Sequence, residues 1–322
     1  MSRVTLRVAA CFLLLSAHPA IAAESYPVRP IRHIVGFAPG GSTDLVARIM
    51  AGKLTEVLGQ QVIVDNRPGA GGSIAASTVA KAAPDGYTTY HAGITMAINP
   101  ALRKDLPYHP LRDFTPISLV VKLPTVLMVP ASAPTKSIKA FVANAKVNAG
   151  ELNYASSGAG AAPHLAMELF KKMAGIQLTH VPYKGSAPAL NDMMAGNVSS
   201  MFDNLPAALT QIKAGRVRAL GVGTLERSAQ IPDVPTIAES GYPGFEVTVW
   251  YGMFAPAGLP RPVLTKLNSG VVAILKMPDV QKRLEELSAV PSPMTPEQFS
   301  AFLKSEVARW AAVVKEAGIT VE

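Results

Sequence analysis

The sequence predicts an α/β protein with two lobes, each a doubly wound sheet covered by helices. Apolar runs typical of strands alternate with helical patterns along most of the chain, as in parallel sheets packed between helices. Glycine-rich turns join several of the expected strands to the helix that follows. A β-rich stretch at residues 117–129 is interrupted by Pro124, which suits a strand that leaves one lobe and enters the other.

The first lobe is predicted from strands and helices near the start of the chain. The apolar run at 31–37 predicts a strand, and a glycine-rich loop separates it from a helix at 44–58. Strands at 61–64 and 87–92 follow, with a short helix from about Ser73 between them. This order indicates a doubly wound lobe.

The second lobe is predicted from the same alternation after residue 124. The expected order is a helix at 138–147, a strand at 152–155, a helix from Pro163, a strand at 177–181, a helix at 186–195, and strands at 198–202 and 217–222.

The last part of the chain is expected to return to the first lobe. A strand at 245–254 is followed by helical patterns, and Thr295 with Gln298 forms a capping box that opens the final helix, expected to run through Trp310. The chain therefore crosses between lobes near residues 124 and 245. We expect lobe 1 at 24–124 and 246–322, and lobe 2 at 125–245, joined by a two-crossing hinge.

Residues 1–23 have the composition of a cleaved signal peptide. Arg3 and Arg7 precede an apolar run at 8–17, and small residues follow at 20–23. The run is about ten residues long, whereas a membrane-spanning helix needs roughly 20. Cys11 is the only cysteine, but the apolar run follows it, so lipidation is the minor alternative. We expect export to the periplasm.

The charge of the chain does not indicate nucleic-acid binding. The formal net charge is +8, and removal of a leader with two arginines and no acidic residue leaves about +6. The basic residues are scattered singly or in pairs, with no stripe that alternates with aromatic residues. A mild positive field would instead help to gather anions at a cleft.

Two loops have the composition of anion-binding turns. Residues 39–44 and 156–164 each join a strand to a helix and are rich in glycine and hydroxyl residues. Glycine lets a backbone approach a ligand closely, and the first amides of a helix are unpaired donors. Because both turns follow strands of an α/β sheet, they should lie at the same edge. Two such turns facing one cleft would hold one carboxylate.

An ordinary turn with a helix cap remains the alternative for either loop alone. Ser42, Thr43 and Asp44 are also common capping residues, and Pro163 suits a first helical turn. Asp203 ends a predicted strand, where it would accept a hydrogen bond from a ligand or act as a turn residue.

Motifs for catalysis, cofactors and metals are not found in the sequence. The run at 158–163 lacks the third glycine of a dinucleotide fingerprint, and no acidic residue follows at the required spacing. No phosphate loop, nucleophile elbow or metal-binding helix motif occurs. We therefore expect no enzyme, cofactor or metal. The open alternative is a secreted serine hydrolase in which Ser156 or Ser157 pairs with His164.

Nine blocks of the chain, in order, resemble the Bug family, the substrate receptors of tripartite tricarboxylate transporters. The most specific is Phe37-Ala38-Pro39-Gly40-Gly41-Ser42-Thr43-Asp44. The others are residues 64–72, 84–88, 154–158, 181–185, 202–204, 218–220, 232–236 and 250–258. The likeness covers nearly all of the chain after the leader.

This resemblance implies a type II periplasmic-binding-protein fold that closes on a ligand. Such receptors bind a carboxylate with backbone amides and hydroxyl groups from the two loops, without an arginine clamp. Integral-membrane transporter subunits would be the partners of a monomeric receptor, although a receptor that signals to a sensor kinase is the alternative. Carried over by position and combined with Asp203, the expected ligand-binding residues are Phe37, Pro39, Gly40, Gly41, Ser42, Thr43, Asp44, Ser156, Ser157, Gly158, His164 and Asp203.

The second loop departs from the family pattern, because Gly160-Ala161-Ala162-Pro163 is more apolar than the glycine- and serine-rich run expected there. A less polar floor would suit an apolar or aromatic carboxylate. The particular ligand stays open at the level of the sequence.

Overall fold

Two sheets that share one long strand form the framework of the protein. The computed structural model describes residues 26–319, so the predicted signal peptide and Cys11 lie outside the described residues. Sheet A contains, in order, β2 (Val62–Asn66), β1 (Ile31–Val35), β3 (Thr88–Gly93), β9 (Thr248–Pro256) and residues 114–124 of β4 (Phe114–Pro130). Strand β1 is parallel to β2 and β3, whereas β9 is antiparallel to β3 and β4.

Sheet B is built on the other end of β4. From Thr125 onward β4 pairs with β7 (Ser200–Asn204) and β8 (Val217–Val222), and both pairings are antiparallel. Strand β7 is followed in the sheet by β5 (Asn153–Ser156) and β6 (Thr179–Pro182) in parallel. The α/β fold class predicted from the alternation of strands and helices is confirmed.

Helices cover both sheets and connect most of the strands. They are α1 (Ser42–Leu58), α2 (Ser73–Ala80), α3 (Thr95–Leu102), α4 (Ile138–Val147), α5 (Ala162–Ala174), α6 (Ser186–Met194), α7 (Leu205–Lys213), α8 (Arg261–Ile274), α9 (Pro278–Glu286) and α10 (Pro296–Ala317). Between residues 26 and 319, no helix is both long and apolar enough to cross a membrane.

The chain changes sheets at Pro124 and Thr125. Pro124 is the last residue of β4 to pair with β9, and Thr125 is the first to pair with β7. The Thr125 hydroxyl donates to the carbonyl of Val247 at 3.0 Å, while the Gly223 amide donates to the carbonyl of Thr125 at 2.8 Å. Strand β4, which leaves sheet A, and the segment around Val247, which returns to it, are thus hydrogen-bonded to each other where the two sheets meet.

Most predicted elements are confirmed, and the differences have local causes. Helix α1 begins at Ser42, two residues before the predicted start, because Gly41 rather than a hydroxyl residue occupies the N-cap. Helix α3 was not predicted, since it has eight residues and contains Pro100. The capping box of Thr295 is present, but α10 continues past Trp310 to Ala317.

The core beneath sheet A leaves no space at Gly252 of β9. A Cβ at this position would lie 2.2 Å from Cζ of the buried Phe299 and 3.1 Å from the carbonyl oxygen of Ser118. Cores are packed to the density of organic crystals, so an added methyl group forces neighbouring groups to shift.

Gly252→Ala is therefore expected to lower the free energy of unfolding by about 1–3 kcal/mol, measured by urea denaturation. Gly52→Ala is the matched control, because a Cβ there meets no atom within 4 Å on the exposed side of α1. The control should be neutral or stabilising by up to about 1 kcal/mol. Equal stability of the two variants would contradict the packing described for β9.

Candidate functional site

A small enclosed cavity lies where the carboxyl ends of strands from both sheets meet. Its volume, measured for the centres of water-sized molecules, is about 20 Å³. The loops that follow β1, β3 and β5 all reach it, as expected for ligand sites in α/β sheets. The lining residues are Phe37, Gly41, Ser42, Thr43, Gly93, Ile94, Thr95, Ser157, Ala161, Ala162, Pro163, Ser186, Asn204, Val249 and Tyr251.

Helix α1 directs its N-terminus at this cavity without a capping side chain. Its N-cap is Gly41, and no side chain accepts a hydrogen bond from the first turn at that position. Ser42 and Thr43 lie inside the helix and line the cavity, so the capping alternative considered for them does not apply. The first amides of α1 are free of the usual side-chain acceptor and carry the positive end of the helix dipole.

Helix α5 presents a second uncapped N-terminus from sheet B. Its N-cap is Ala161, again without a side-chain hydrogen bond, and Pro163 in the first turn has no amide hydrogen. By contrast, Ser137 caps α4 and Thr295 caps α10 with their side chains. Helices α2, α3, α6, α7, α8 and α9 also lack a side-chain cap, so α1 and α5 share their free amide donors with most of the described helices. What singles out α1 and α5 is that the predicted loops before them bring these donors to one cavity from different sheets.

Asp44 holds the first loop in place from beneath. It is 2% exposed, and its carboxylate accepts hydrogen bonds from the Gly40 amide at 3.0 Å, from Arg48 Nε at 2.9 Å and from Asn66 Nδ2 at 2.9 Å. Burial raises the pKa of Asp44, but these hydrogen bonds outweigh it and leave the pKa below its usual value. Gly40 has a φ of 85°, a backbone conformation that favours glycine.

Three polar side chains form a closed triangle across the two sheets. The hydroxyl oxygens of Ser42 and Tyr251 are 2.5 Å apart, and Asn204 Nδ2 donates to each of them at 2.8 Å. Ser42 and Tyr251 belong to the sheet A side, whereas Asn204 ends β7 of sheet B. Burial raises the pKa of Tyr251 to about 12, although the bonds from its neighbours act in the opposite direction, so the phenol is neutral at pH 7.

Asp203 lies behind the lining and organises two residues of it. It is completely buried, and its Oδ1 accepts hydrogen bonds from the Ser186 hydroxyl and from the Asn204 amide, both at 2.8 Å. Burial raises the pKa of Asp203 to about 7, and these two hydrogen bonds only partly oppose it. Asp203 thus contacts the lining residues Ser186 and Asn204 and is not itself part of the lining.

The second loop is held by a stack of aromatic rings. The rings of His164 and His180 are parallel with centroids 4.2 Å apart, and Tyr154 stacks on the other side of His180 at 4.8 Å. His164 Nδ1 accepts the Gly160 amide at 3.1 Å, and the Ser156 hydroxyl accepts the Gly158 amide at 3.2 Å. Burial lowers the pKa of both histidines to about 4, so the rings are neutral at pH 7.

The hydrolase alternative paired Ser156 or Ser157 with His164, and the structure gives Ser156 a different partner. Ser156 contacts His180 Nε2 at 2.7 Å rather than His164, because β5 and β6 are adjacent parallel strands with Tyr154 opposite His180. Ser156 is completely buried and lies outside the cavity lining. Ser157 does line the cavity and is 6% exposed.

The predicted ligand-binding residues fall into two groups. Phe37, Gly41, Ser42, Thr43 and Ser157 line the cavity. The other members lie outside the lining of the described cavity; they are Pro39, Gly40, Asp44, Ser156, Gly158, His164 and Asp203. Pro39 and Gly40 are exposed, whereas Asp44, Ser156, His164 and Asp203 are buried. The structure therefore separates residues at the surface of the cavity from residues that shape it.

Several lining residues were not selected from the sequence. Asn204 lies in the recognised block 202–204, of which only Asp203 was chosen, and Ser186 directly follows the block 181–185. Tyr251 lies in the recognised block 250–258 and Val249 directly before it, but a strand residue between apolar neighbours is usually a core residue, so neither was selected. The neighbouring Trp250 is buried and lies outside the lining, where its Nε1 donates to Glu306 at 2.8 Å.

The cavity is polar but carries no charged side chain in its lining. Seven lining residues contribute hydroxyl or amide groups, and the remainder are glycine or apolar. Over residues 26–319, no cluster of histidine, cysteine, aspartate or glutamate could hold a metal ion. The donors available to an anion are therefore hydroxyl groups, the Asn204 amide and helix N-termini.

These features define a periplasmic binding protein, with two α/β sheets joined by a shared strand around a small enclosed site. The chain belongs to the tripartite tricarboxylate transporter family of receptors, whose family match covers residues 46–319. The resemblance to the Bug proteins predicted from the nine sequence blocks is confirmed.

Solved structures agree with this assignment over nearly the whole chain. The periplasmic binding protein BugD is 40% identical with a TM-score of 0.90, and the match covers 92% of this chain and 100% of BugD. An R. palustris protein with adipate is 40% identical with a TM-score of 0.89, covering 92% and 99%. MatC from Rhodopseudomonas palustris with bound malate is 37% identical with a TM-score of 0.87, covering 90% and 100%.

Asp44→Asn is expected to lower the free energy of unfolding at pH 7 by about 1–3 kcal/mol, since it weakens the bonds to Arg48 and the Gly40 amide. The folded-state pKa of Asp44 lies below its unfolded value, so its contribution is complete above about pH 4 and disappears as the pH falls through the folded-state pKa.

Urea denaturation from pH 7 to pH 3 measures this difference, with the exposed Asp105→Asn as the control. The difference in the free energy of unfolding between wild type and Asp44→Asn should become smaller as the pH falls. The control variant should remain close to wild type at every pH. A difference that is constant over this pH range would contradict the role given to the ionised Asp44.

Proposed function

We propose that the protein is a periplasmic receptor that binds a small carboxylate in this cavity and delivers it to a tripartite transporter. The observation that carries the proposal is the pair of uncapped helix N-termini, α1 and α5, which reach one cavity from different sheets. Amides at helix N-termini favour anions, and no acidic side chain lines the cavity to oppose them. Relatives with adipate and malate support a carboxylate as the ligand.

The binding energy must come from many weak interactions. One helix terminus stabilises an anion by roughly 0.3–2 kcal/mol, whereas a micromolar complex requires about 8 kcal/mol. Hydrogen bonds from Ser42, Thr43, Ser157 and Tyr251, together with exclusion of water, would supply the remainder. Discrimination between carboxylates would then depend on the groups that touch the rest of the ligand.

Closure of two lobes is the proposed way in which the ligand enters and leaves. Lobe 1 would comprise residues 24–124 and 246–322, and lobe 2 residues 125–245, with β4 and the returning chain as the two crossings. The enclosed space of about 20 Å³ is close to the minimum for one water centre, so a carboxylate requires the lobes to separate. A ligand that contacts both lobes binds the closed form more tightly than the open form, and this difference in affinity shifts the equilibrium towards the closed form.

Direct contacts between the lobes would stabilise the closed form. Arg103, at the end of α3, donates from Nη2 to the carbonyl of Ala159 in the second loop at 3.2 Å. A Cβ at Gly71 would lie only 2.7 Å from the same carbonyl oxygen, so the two backbones meet closely here. Like the triangle of Ser42, Tyr251 and Asn204, these contacts join residues of the two proposed lobes.

The proposed setting is the periplasm, with residues 1–23 removed as a signal peptide. Receptors of this family are periplasmic, and the leader composition supports export. The mature protein would act as a monomer that presents its closed form to integral-membrane transporter subunits. No catalytic step is required, because the cycle consists of binding, closure and release.

A thermal-shift screen of the mature protein, followed by calorimetry, tests the proposed function. One or more mono- or dicarboxylates should raise the melting temperature in a saturable manner, because they bind only the native state. Tyr251→Phe should weaken binding about 5- to 20-fold by removing one hydroxyl group, while Tyr242→Phe, outside the lining, should not. If a folded, ligand-free protein responds to no carboxylate, the proposal is overturned.

Arg103→Ala tests the contact between the lobes. Loss of the bond to Ala159 should shift the equilibrium towards the open form and weaken carboxylate binding about 3- to 10-fold, as expected for one partly exposed charged hydrogen bond. Small-angle scattering should report a larger radius of gyration without ligand and the wild-type value at saturation. Arg112→Ala, at an exposed arginine, is the control and should match the wild type. If Arg103→Ala leaves both the affinity and the radius of gyration unchanged, a role of Arg103 in closure is contradicted.

A further inference from the structure

Asn204 places an unpaired hydrogen-bond acceptor at the cavity. The residue lines the cavity, is 7% exposed, and uses Nδ2 to donate to Ser42 and Tyr251. Its Oδ1 is buried and has no hydrogen-bond partner among the residues that the structure describes. Unsatisfied buried polar atoms are few in folded proteins and cost the free energy of their lost hydration.

A carboxylate cannot satisfy this atom, because an ionised carboxylate only accepts hydrogen bonds. No neighbouring side chain donates to Oδ1 among the described residues. The Ser42 and Tyr251 hydroxyls share one contact with each other, and the Ser186 hydroxyl donates to Asp203 Oδ1. The group that completes the hydrogen bonding of Oδ1 must therefore bring its own N–H or O–H.

Oxygens without a donor are found in the part of the lining formed by Asn204 and Ser186, and in Asp203 behind it. Asp203 Oδ2 is a second buried oxygen without a partner in the described part of the chain, and it belongs to the residue next to Asn204. Ser186 donates its hydrogen to Asp203, which leaves the lone pairs of its oxygen available as acceptors. The N-termini of α1 and α5, by contrast, offer donors. The lining thus distinguishes an anionic end of a ligand from a hydrogen-bond-donating part.

We propose that the cavity selects carboxylates that carry a hydroxyl or amino group on the carbon chain, and that Asn204 Oδ1 accepts the hydrogen bond from that group. The inference rests on the proposed function, since it assigns the remainder of the ligand after the carboxylate is placed at the helix N-termini. Family membership does not decide the question, because the relatives with adipate and with malate differ in this feature.

Matched acids test the selection by calorimetry on the mature protein. Succinate, malate and aspartate share one carbon skeleton, and propionate, lactate and alanine provide a shorter series. At least one hydroxy or amino acid should bind wild type about tenfold or more tightly than its unsubstituted counterpart, as expected when a buried acceptor gains or loses its only partner. Comparison of the hydroxy and amino members identifies which donor is used.

Variants of Asn204 locate the source of the preference. In Asn204→Ala, the substituted and unsubstituted acids of each series should bind with nearly equal affinity. Asn204→Asp keeps an acceptor, so it should still prefer the substituted acids, and its added negative charge should favour the amino acid over the hydroxy acid. Asn148→Ala, in lobe 2 outside the lining, should keep the wild-type ratio. A ratio that persists in Asn204→Ala would overturn the assignment to this residue.

The wild-type measurements separate this inference from the proposed function. If the unsubstituted acids bind as tightly as their hydroxy and amino counterparts, the inference fails while the carboxylate receptor stands. If none of these acids binds and no other carboxylate shifts the melting temperature, the proposed function fails, and the inference fails with it.

Discussion

Strand β4 belongs to both sheets, and the position of the cavity depends on this shared strand. Because β4 pairs with β9 on one side of the Pro124–Thr125 step and with β7 and β8 on the other, the two sheets are joined through one continuous backbone. The carboxyl ends of β1 and β5 then face a common space. The two helix N-termini, each common in a fold of this kind, reach one cavity because β4 joins their sheets.

The acidic residues near the cavity lie behind its lining, so the surface of the cavity itself carries no charged side chain. Asp44 is ionised beneath the first loop, where Arg48 and backbone amides balance it, and Asp203 lies behind Ser186 and Asn204. A cation in the lining would bind any anion strongly but with little discrimination, and it would require its own partner when the site is empty. Neutral hydroxyl and amide groups bind only a ligand whose polar atoms lie in the directions of their hydrogen bonds. Such groups therefore discriminate between anions better than a single cation does.

The sequence predicted what is encoded locally. The loop before α1 could be identified because glycines and hydroxyl residues follow a strand, and the capping box of α10 is likewise contained in four residues. Tyr251 could not be found in this way, since its partner Ser42 is 209 residues away and no spacing connects the two. The same limit explains the pairing of Ser156 with His180, which depends on the neighbouring register of β5 and β6. The division between lining and supporting residues also depends on the assembled sheets.

The second loop shows how buried histidines can serve a binding site without touching a ligand. His164 accepts the Gly160 amide through Nδ1, so that nitrogen must be unprotonated, and its ring is buried against the partly buried His180. Burial lowers both pKa values to about 4, while an unfolded histidine has a pKa of about 6.5. The unfolded chain therefore binds more protons between these values, and the stabilisation from neutral rings is complete above about pH 6.5 and declines towards pH 4. The neutral rings that hold the loop before α5 therefore contribute their full stabilisation near neutral pH, where carboxylates are also ionised.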